Sequence, residues 1–458
     1  MNKVAIFQKS PPFLKSVLAS FHGFQLNRIR KKNRKQYLIE IKKHDSWTKE
    51  NIREFQNKKL EEILDYSVKN IPYYRNLWKK LKSDDPQLDH LNIKNWPILE
   101  KETIRSNPQQ FLSDSINKKE LINIKTSGTS GKPISFWYDN YAISYWYALC
   151  EHRIKNWNGV GEKDNWANIG GQLICDINKN KPPFWTWNLA MKQLYLSSYH
   201  ISPGNIKFYL TALKKYRIKY IWGYVSSIFN IAKEGLLQNL DFPKLSLIIT
   251  NAEPLFEHQK IIIEKAFGCA VIQTYSSCEF AFGSNEDLEG NMFIWPEAGF
   301  IETLSESEVI STSGQGQLII TGFLNKAMPI IRYRLGDTAK VNIGQKGDKN
   351  FDYFEEIIGR TDDLVVSSEG KFVGRLDPVF KSDLKIKEAQ IIQEDYSLFT
   401  IKVTPDLDFS DKDMISIECG LKDRVGQNIK VNFEIVDSIP RGANGKFKAV
   451  ISHVKTNL

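Results

Sequence analysis

The stretch between Tyr220 and Ile272, where short apolar runs alternate with helical spacing, constrains the fold more than any other. Tyr220-Ile221-Trp222, Leu245-Ser246-Leu247-Ile248-Ile249-Thr250 and Ala270-Val271-Ile272 read as strands, and residues 226–239 and 256–267 carry helical periodicity. Strands that alternate with helices need crossover connections, which set neighbouring strands parallel. The expected class is α/β. Upstream, residues 47–82 read as helical, with Ile52, Phe55, Leu60, Ile63 and Leu64 at roughly helical spacing and a break at Asn70-Ile71-Pro72. After about Gly359 the signals shorten to strands at 398–403 and 430–435 and a helical segment at 411–425. The expected organisation is a large multi-subdomain N-terminal domain, residues 1–361, with mostly parallel sheets, and a small α+β domain, residues 362–458. A chain of 458 residues accommodates this division.

Chemistry concentrates in short motifs. Thr126-Ser127-Gly128-Thr129-Ser130-Gly131-Lys132-Pro133 combines glycines that admit close backbone approach with hydroxyl donors and one lysine. It suits a polyphosphate, and it also has the composition of a plain surface turn. It is not a Walker A loop, because its glycines are too close together and Pro133 follows the lysine. Thr274-Tyr275-Ser276-Ser277-Cys278-Glu279 ends a predicted strand, where ligands of open α/β sheets bind. Tyr275 offers a ring for a base and Glu279 a hard oxygen for Mg²⁺, or the pair are a packing tyrosine and a solvated glutamate. Asn251-Ala252-Glu253-Pro254 would border the same cleft. In Tyr333-Arg334-Leu335-Gly336-Asp337 the carboxylate can accept two ribose hydroxyl protons. Gly359-Arg360-Thr361-Asp362-Asp363 marks a hinge candidate, and Gly445-Lys446 puts a cation on a glycine-containing loop.

Net charge is +10, and Arg28-Ile29-Arg30-Lys31-Lys32-Asn33-Arg34-Lys35 is its densest cluster. It reads as a solvated, partly mobile arm, with weak association to an anionic membrane surface as a secondary property. No aromatic platforms or scaffold signature accompany it, so no nucleic-acid partner is expected. Five cysteines without a CxxC pair, and no signal peptide, point to reduced thiols in a cytoplasm. Cys269 and Cys278 are expected to be buried and inert rather than metal ligands.

Taken in order, these motifs resemble the adenylate-forming superfamily, which includes acyl-CoA synthetases. Within it the likeness is to the phenylacetate–CoA ligase branch and its CapK-like relatives of surface-polysaccharide biosynthesis. Asn70-Ile71-Pro72-Tyr73-Tyr74-Arg75 and Trp96-Pro97-Ile98-Leu99-Glu100-Lys101 extend it to nearly the whole chain. The resemblance implies an AMP-forming ligase using ATP and Mg²⁺, with coenzyme A as a possible co-substrate. The loop from Thr126 through Lys132 would hold the β- and γ-phosphates. Asn251, Ala252 and Glu253 would border the adenine, with Tyr275 stacking on it beside Ser276. Glu279 and Thr129 would bind Mg²⁺, and Asp337 and Arg360 would reach the ribose. Asp362 would be the hinge of the mobile C-terminal domain, and Lys446 would be catalytic. These intact groups argue against a silent scaffold.

The chain departs from the pattern at Gln317, where Glu is frequent, and at Asn251, where Gly is. His200, Trp222 and Tyr224 fall where the acyl pocket is shaped. The acceptor is expected to be either a CoA thiol or the amine of a nucleotide-linked sugar. The tryptophans Trp137, Trp146, Trp157, Trp166, Trp185 and Trp187 would serve either a sugar ring or ordinary packing.

Overall fold

The computed structural model describes residues 10–125, 134–176, 178–360, 384–441 and 447–454, with Phe7 and a few positions between 365 and 380. Helices α1 (Pro12–Arg30), α2 (Arg34–His44), α3 (Lys49–Asn70) and α4 (Pro72–Asp84) come first. A capping box between Thr48 and Asn51 starts α3. The break expected at Pro72 is the junction of α3 with α4. Proline sits there because the first turn of a helix has no intrahelical use for its N–H.

Residues 28–35 are largely exposed, as expected of a solvated segment, but they form the end of α1, a turn and the start of α2 rather than a loose arm. Specific partners explain the order. The Arg30 guanidinium lies 4.0 Å from the Tyr147 ring centre, Lys31 pairs with Glu162, and Arg34 pairs with Glu151 at 2.9 Å.

Next come α5 (Lys101–Ser106), a hairpin of β1 (Ile122–Lys125) with β2 (Ser135–Tyr138), and α6 (Asn140–Leu149). The main sheet contains β3 (Trp166–Gly170), β4 (Trp185–Asn188), β5 (Gln193–Ser197), β6 (Tyr220–Tyr224), β7 (Leu247–Asn251) and β8 (Val271–Ser276). It continues with β9 (Gly283–Glu286), β10 (Met292–Ile294), β11 (Gly299–Leu304), β12 (Ile310–Ser311), β13 (Gly314–Gly322), β14 (Tyr333–Asn342) and β15 (Tyr353–Arg360). Helices α7 (Ile206–Lys215), α8 (Val225–Leu237) and α9 (Glu257–Phe267) connect its parallel part.

The strand order is β12-β11-β13-β14-β15-β10-β9-β8-β7-β6-β3-β5-β4. Pairing is parallel from β5 through β3, β6 and β7 to β8, and antiparallel on both sides of that run. The α/β class holds, and the sheet is mixed. Its parallel part is where the strand–helix alternation was read. A second sheet, ordered β20-β19-β18-β21, follows the short pair β16 (Val365–Val366) and β17 (Phe372–Val373). It consists of β18 (Ile386–Asp395), β19 (Leu398–Pro405), β20 (Lys430–Ile435) and β21 (Val450–Ser452), with α10 (Asp411–Val425) packed on it.

Candidate active site

The site is built at the carboxyl ends of β6, β7 and β8, with β14 across from them. Tyr275 closes β8, and its hydroxyl donates to Asp337 Oδ2 at 2.6 Å. Its ring packs edge-on against Phe282 and Phe354, with centres 5.0 and 5.4 Å away. Two residues expected to meet the nucleoside are therefore in direct contact. Asp337 is paired in register with Arg360, so the two ribose candidates lie on facing backbone positions of β14 and β15.

Glu279 is buried at 7% exposure. Burial raises its carboxyl pKa, the Ser277 hydroxyl and the charge of Lys101 oppose that rise, and Asp337 adds to it. The Tyr138 hydroxyl, at the end of β2, donates to the carbonyl of Cys278. The β1–β2 hairpin is thereby tied to the Glu279 turn. Lys125 pairs with Ser135, so the chain on either side of residues 126–133 converges here. Thr126, Ser127, Gly128, Thr129, Ser130, Gly131 and Lys132 themselves lie outside the described residues, as do Asp362 and Lys446 and the side chain of Arg360.

Lys101 was missed as a site residue, although its segment was noted. Leu99 bridges to Tyr333 and exchanges backbone hydrogen bonds with Arg332 and Arg334 at 2.9 and 3.0 Å. The segment is thus pinned beside β14. The buried Arg332 guanidinium reinforces it, donating to the Trp96 carbonyl at 2.7 Å and to both oxygens of Glu302 at 3.0 Å. Lys101 then starts α5 beside Gly336 and Asp337, which lie within β14 and not in the tight turn that the sequence suggested. Gly336 has φ +81°, and a Cβ there would sit 2.9 Å from Lys101 Nζ, so both backbone and space call for glycine. The sequence signal was a lysine at the start of the polar helical segment that follows Trp96-Pro97-Ile98-Leu99.

Asn251 ends β7, and Ala252 and Glu253 follow it. Ala252 is exposed, with φ +66°. Glu253 faces the N-terminus of α8, which lacks a cap of its own. Its carboxylate accepts from Ser226 N at 2.7 Å, Ser226 Oγ at 3.1 Å and Phe447 N at 3.0 Å. A carboxylate placed there satisfies open amides and complements the helix dipole. Phe447, the residue that follows Lys446 in the sequence, is thereby held at this rim.

A cavity of about 1060 Å³ opens from Asn251 and Trp222 toward the C-terminal turn of α1. Six cationic side chains line it, Arg30 and Arg34 among them, against three acidic ones. Buried polar atoms on its lining have no hydrogen-bond partner: Gln193 Oε1, Asn251 Oδ1 and Trp222 Nε1. Unpaired polar groups are costly, and three of them cluster behind this lining.

His200 does not line this cavity. Its Nδ1 is 2.8 Å from Ser197 Oγ and its Nε2 is 3.0 Å from the Asp176 carbonyl, while its ring stacks on Phe184. Tyr224 ends β6 opposite Asn251 and also lies off the cavity lining, and Ser276 is exposed at the end of β8. Of the six tryptophans between 137 and 187, only Trp166 lines the cavity. Trp146 stacks on Phe280, Trp157 on Phe351 and Trp187 on Tyr216. Gln317 accepts from Arg334 at 2.6 Å, a structural use. Cys278 is exposed, against expectation, because the turn directs Glu279 inward instead.

Among the described residues, no group of three His, Cys, Asp or Glu side chains forms a metal cluster. A single buried carboxylate still fits Mg²⁺, which keeps much of its water and is carried largely by phosphates.

A family model described as the CapK C-terminal domain matches residues 365–453. Protein CapK of Staphylococcus aureus is 30% identical over 461 residues, covering 98% of this chain and 99% of that protein. A phenylacetate–coenzyme A ligase of Pseudomonas putida is 23% identical over 327 residues, covering 69% of this chain and 72% of that one. The solved structure of a 2-hydroxyisobutyryl-CoA ligase in its postadenylation state, with R3-HIB-AMP, shares the fold. Its TM-score is 0.67 at 16% identity, over 87% of this chain and 89% of that one.

Proposed function

Since the chain belongs to the CapK family, on the phenylacetate–CoA ligase branch of the adenylate-forming superfamily, we propose that it is an ATP-dependent, AMP-forming carboxylate ligase. It activates a carboxylic acid as the acyl-adenylate and passes the acyl group to an acceptor in surface-polysaccharide biosynthesis. The observation that carries this reading is the convergence of Tyr275, Asp337, Lys101 and Glu279 at one strand-end rim.

A carboxylate is a poor acyl donor because oxide would have to leave. Its oxygen attacks the α-phosphorus of ATP, the bond to the bridging oxygen breaks, and pyrophosphate leaves. Asp337 accepts from the ribose hydroxyls, with Arg360 beside it, and Tyr275 borders the base together with Asn251, Ala252 and Glu253. The hydroxyl-rich loop 126–132 holds the outer phosphates. Glu279 and Thr129 would hold Mg²⁺, which would supply neutralisation of phosphate charge when bound. Lys101 opposes the rise that burial imposes on the Glu279 carboxyl, and Lys446 meets the charge that develops on the α-phosphate. The acceptor then attacks the acyl carbon and AMP leaves. The two steps require different groups around one adenylate, which gives a domain pivot at Asp362 its purpose.

The acid and acceptor occupy the polar cavity near Asn251 and Trp222. Its size lies at the upper end of ordinary ligand pockets, and its cations suit a diphosphate-bearing acceptor. The amine of a nucleotide-linked sugar is the leading acceptor. Coenzyme A is the second, because it carries a diphosphate too.

Pyrophosphate release with a panel of carboxylic acids tests the reading. Lys446→Ala is expected to abolish it while ATP still binds. Normal acid-dependent release by this variant would sink the assignment. Product mass spectra with either acceptor separate an amide from a thioester.

A further inference from the structure

Helix α1 is amphipathic in the reverse sense for a helix that lies on a protein. As far as Asn27, its inward contacts come from polar or small residues, and at its C-terminal end Ile29 packs against the core. Lys15 Nζ donates to the Ile174 carbonyl at 3.3 Å, the Ser20 hydroxyl accepts from Leu189 N at 3.0 Å, and Asn27 donates to the Ala190 carbonyl at 2.8 Å. Gly23 packs so closely on Asn188 that a Cβ would sit 2.4 Å from its Oδ1. The outward side carries Phe13, Leu14, Val17, Leu18, Phe21 and Phe24, with Phe13 81%, Phe21 63% and Phe24 59% exposed. Positions 13, 17, 21 and 24 follow helical spacing and form one stripe. Nothing among the described residues covers it.

Charge identifies what does. Arg28 is exposed on the same face, and Lys32 and Lys35 are exposed just beyond it. Among the described residues, none of the three has an ion-pair partner. A second copy of this chain would bring a net excess of positive charge, because its net charge is +10. Anionic lipid supplies both an apolar layer and the opposite charge.

We propose that α1 is an interfacial anchor whose phenylalanine face enters the headgroup boundary of an anionic lipid bilayer. The stripe from Phe13 to Phe24 spans roughly 16 Å of helix, so it lies along the interface. No helix among the described residues is long and apolar enough to cross a membrane. The phenylalanines supply buried apolar surface, and Arg28, Lys32 and Lys35 supply attraction to headgroups. The C-terminal turn of α1 also lines the large cavity through Asn27 and Arg30, so anchoring sets that cavity beside the membrane surface. The anchor does not depend on which reaction the site performs.

The test is co-sedimentation of the full chain with vesicles of phosphatidylcholine plus phosphatidylglycerol, and with phosphatidylcholine alone. The chain is expected to bind the anionic vesicles more strongly, and added salt should weaken that binding. Phe21→Ser with Phe24→Ser is expected to lower partitioning at least about tenfold. Arg28→Glu with Lys32→Glu and Lys35→Glu is expected to erase the anionic preference. Phe21→Trp, which leaves the inward contacts intact, should be quenched by brominated lipid. Absence of vesicle binding, an unaltered double-Phe variant, or an unquenched Trp would each overturn the proposal. So would a dimer that the double-Phe variant dissolves in the absence of any vesicle binding.

Discussion

At Asp337 one carboxylate oxygen receives the Tyr275 hydroxyl at 2.6 Å, which fixes the direction of a group expected to meet a ribose. Hydrogen bonds to a charged acceptor contribute about 1.5–3 kcal/mol. Asp337→Ala is therefore expected to weaken ATP binding about tenfold to a hundredfold by calorimetry, with a smaller change in rate at saturating ATP. An unchanged dissociation constant would contradict the ribose role. Lys101 makes a second case. Burial raises the Glu279 carboxyl and Lys101 draws it back, so Lys101→Met lets it rise further. The active carboxylate is lost as pH falls through that pKa, and the acid limb of pyrophosphate release is expected to move to higher pH. A profile whose acid limb stays in place removes Lys101 from the site. Tyr275 and Glu279 were legible because they sit at and just past the end of a strand, and Asp337 because a glycine precedes it, although it lies within β14. Lys101 was not, because its neighbour Gly336 is far along the chain and no local period connects them.

Among the elements, the junction of α2, α6 and the main sheet is held by ionised groups. The π-helical turn Cys150–Lys155 that continues α6 carries Arg153, whose fully buried guanidinium pairs with Glu297. Arg153 also bonds Asp45 at 3.1 Å, and His44 Nδ1 lies 2.7 Å from Glu297. Burial alone would raise the Glu297 carboxyl, but Arg153 and His44 outweigh it and hold it at about 2. Glu297→Gln leaves the buried Arg153 charge uncompensated and is expected to cost about 3–5 kcal/mol in chemical denaturation. Because the folded pKa is depressed, the contribution of Glu297 is full above the ordinary carboxylate range. It fades as pH falls from there toward 2. The stability gap between the parent and the variant should therefore narrow in acid. A constant gap would mean that the charge is not what Glu297 supplies. The helices 49–70 and 72–84 were readable from apolar spacing and the proline break. Strands such as Gly283–Glu286 were not, because they are polar and short and their burial comes from neighbouring strands.

For the whole molecule, the C-terminal sheet meets the rest at two described points. Lys233 pairs with Asp406 at 3.0 Å, and Phe447 N donates to Glu253. If this arrangement serves adenylation, Asp406→Lys sets like charges together and is expected to slow adenylate formation severalfold. Transfer from preformed adenylate should keep its rate. Single-turnover measurement of each half-reaction checks this, and equal effects on both would remove the coupling. What the sequence determined by itself was the α/β class, the main helices and the inventory of chemical groups, because periodicity, caps and glycine turns act over a few neighbouring residues. Only the tertiary structure decided that Lys101 lies under Asp337, that Glu253 caps α8 and holds Phe447, and that α1 turns its phenylalanines outward. Those outcomes depend on distances between residues up to hundreds of positions apart, and packing sets such distances where local spacing carries no record of them.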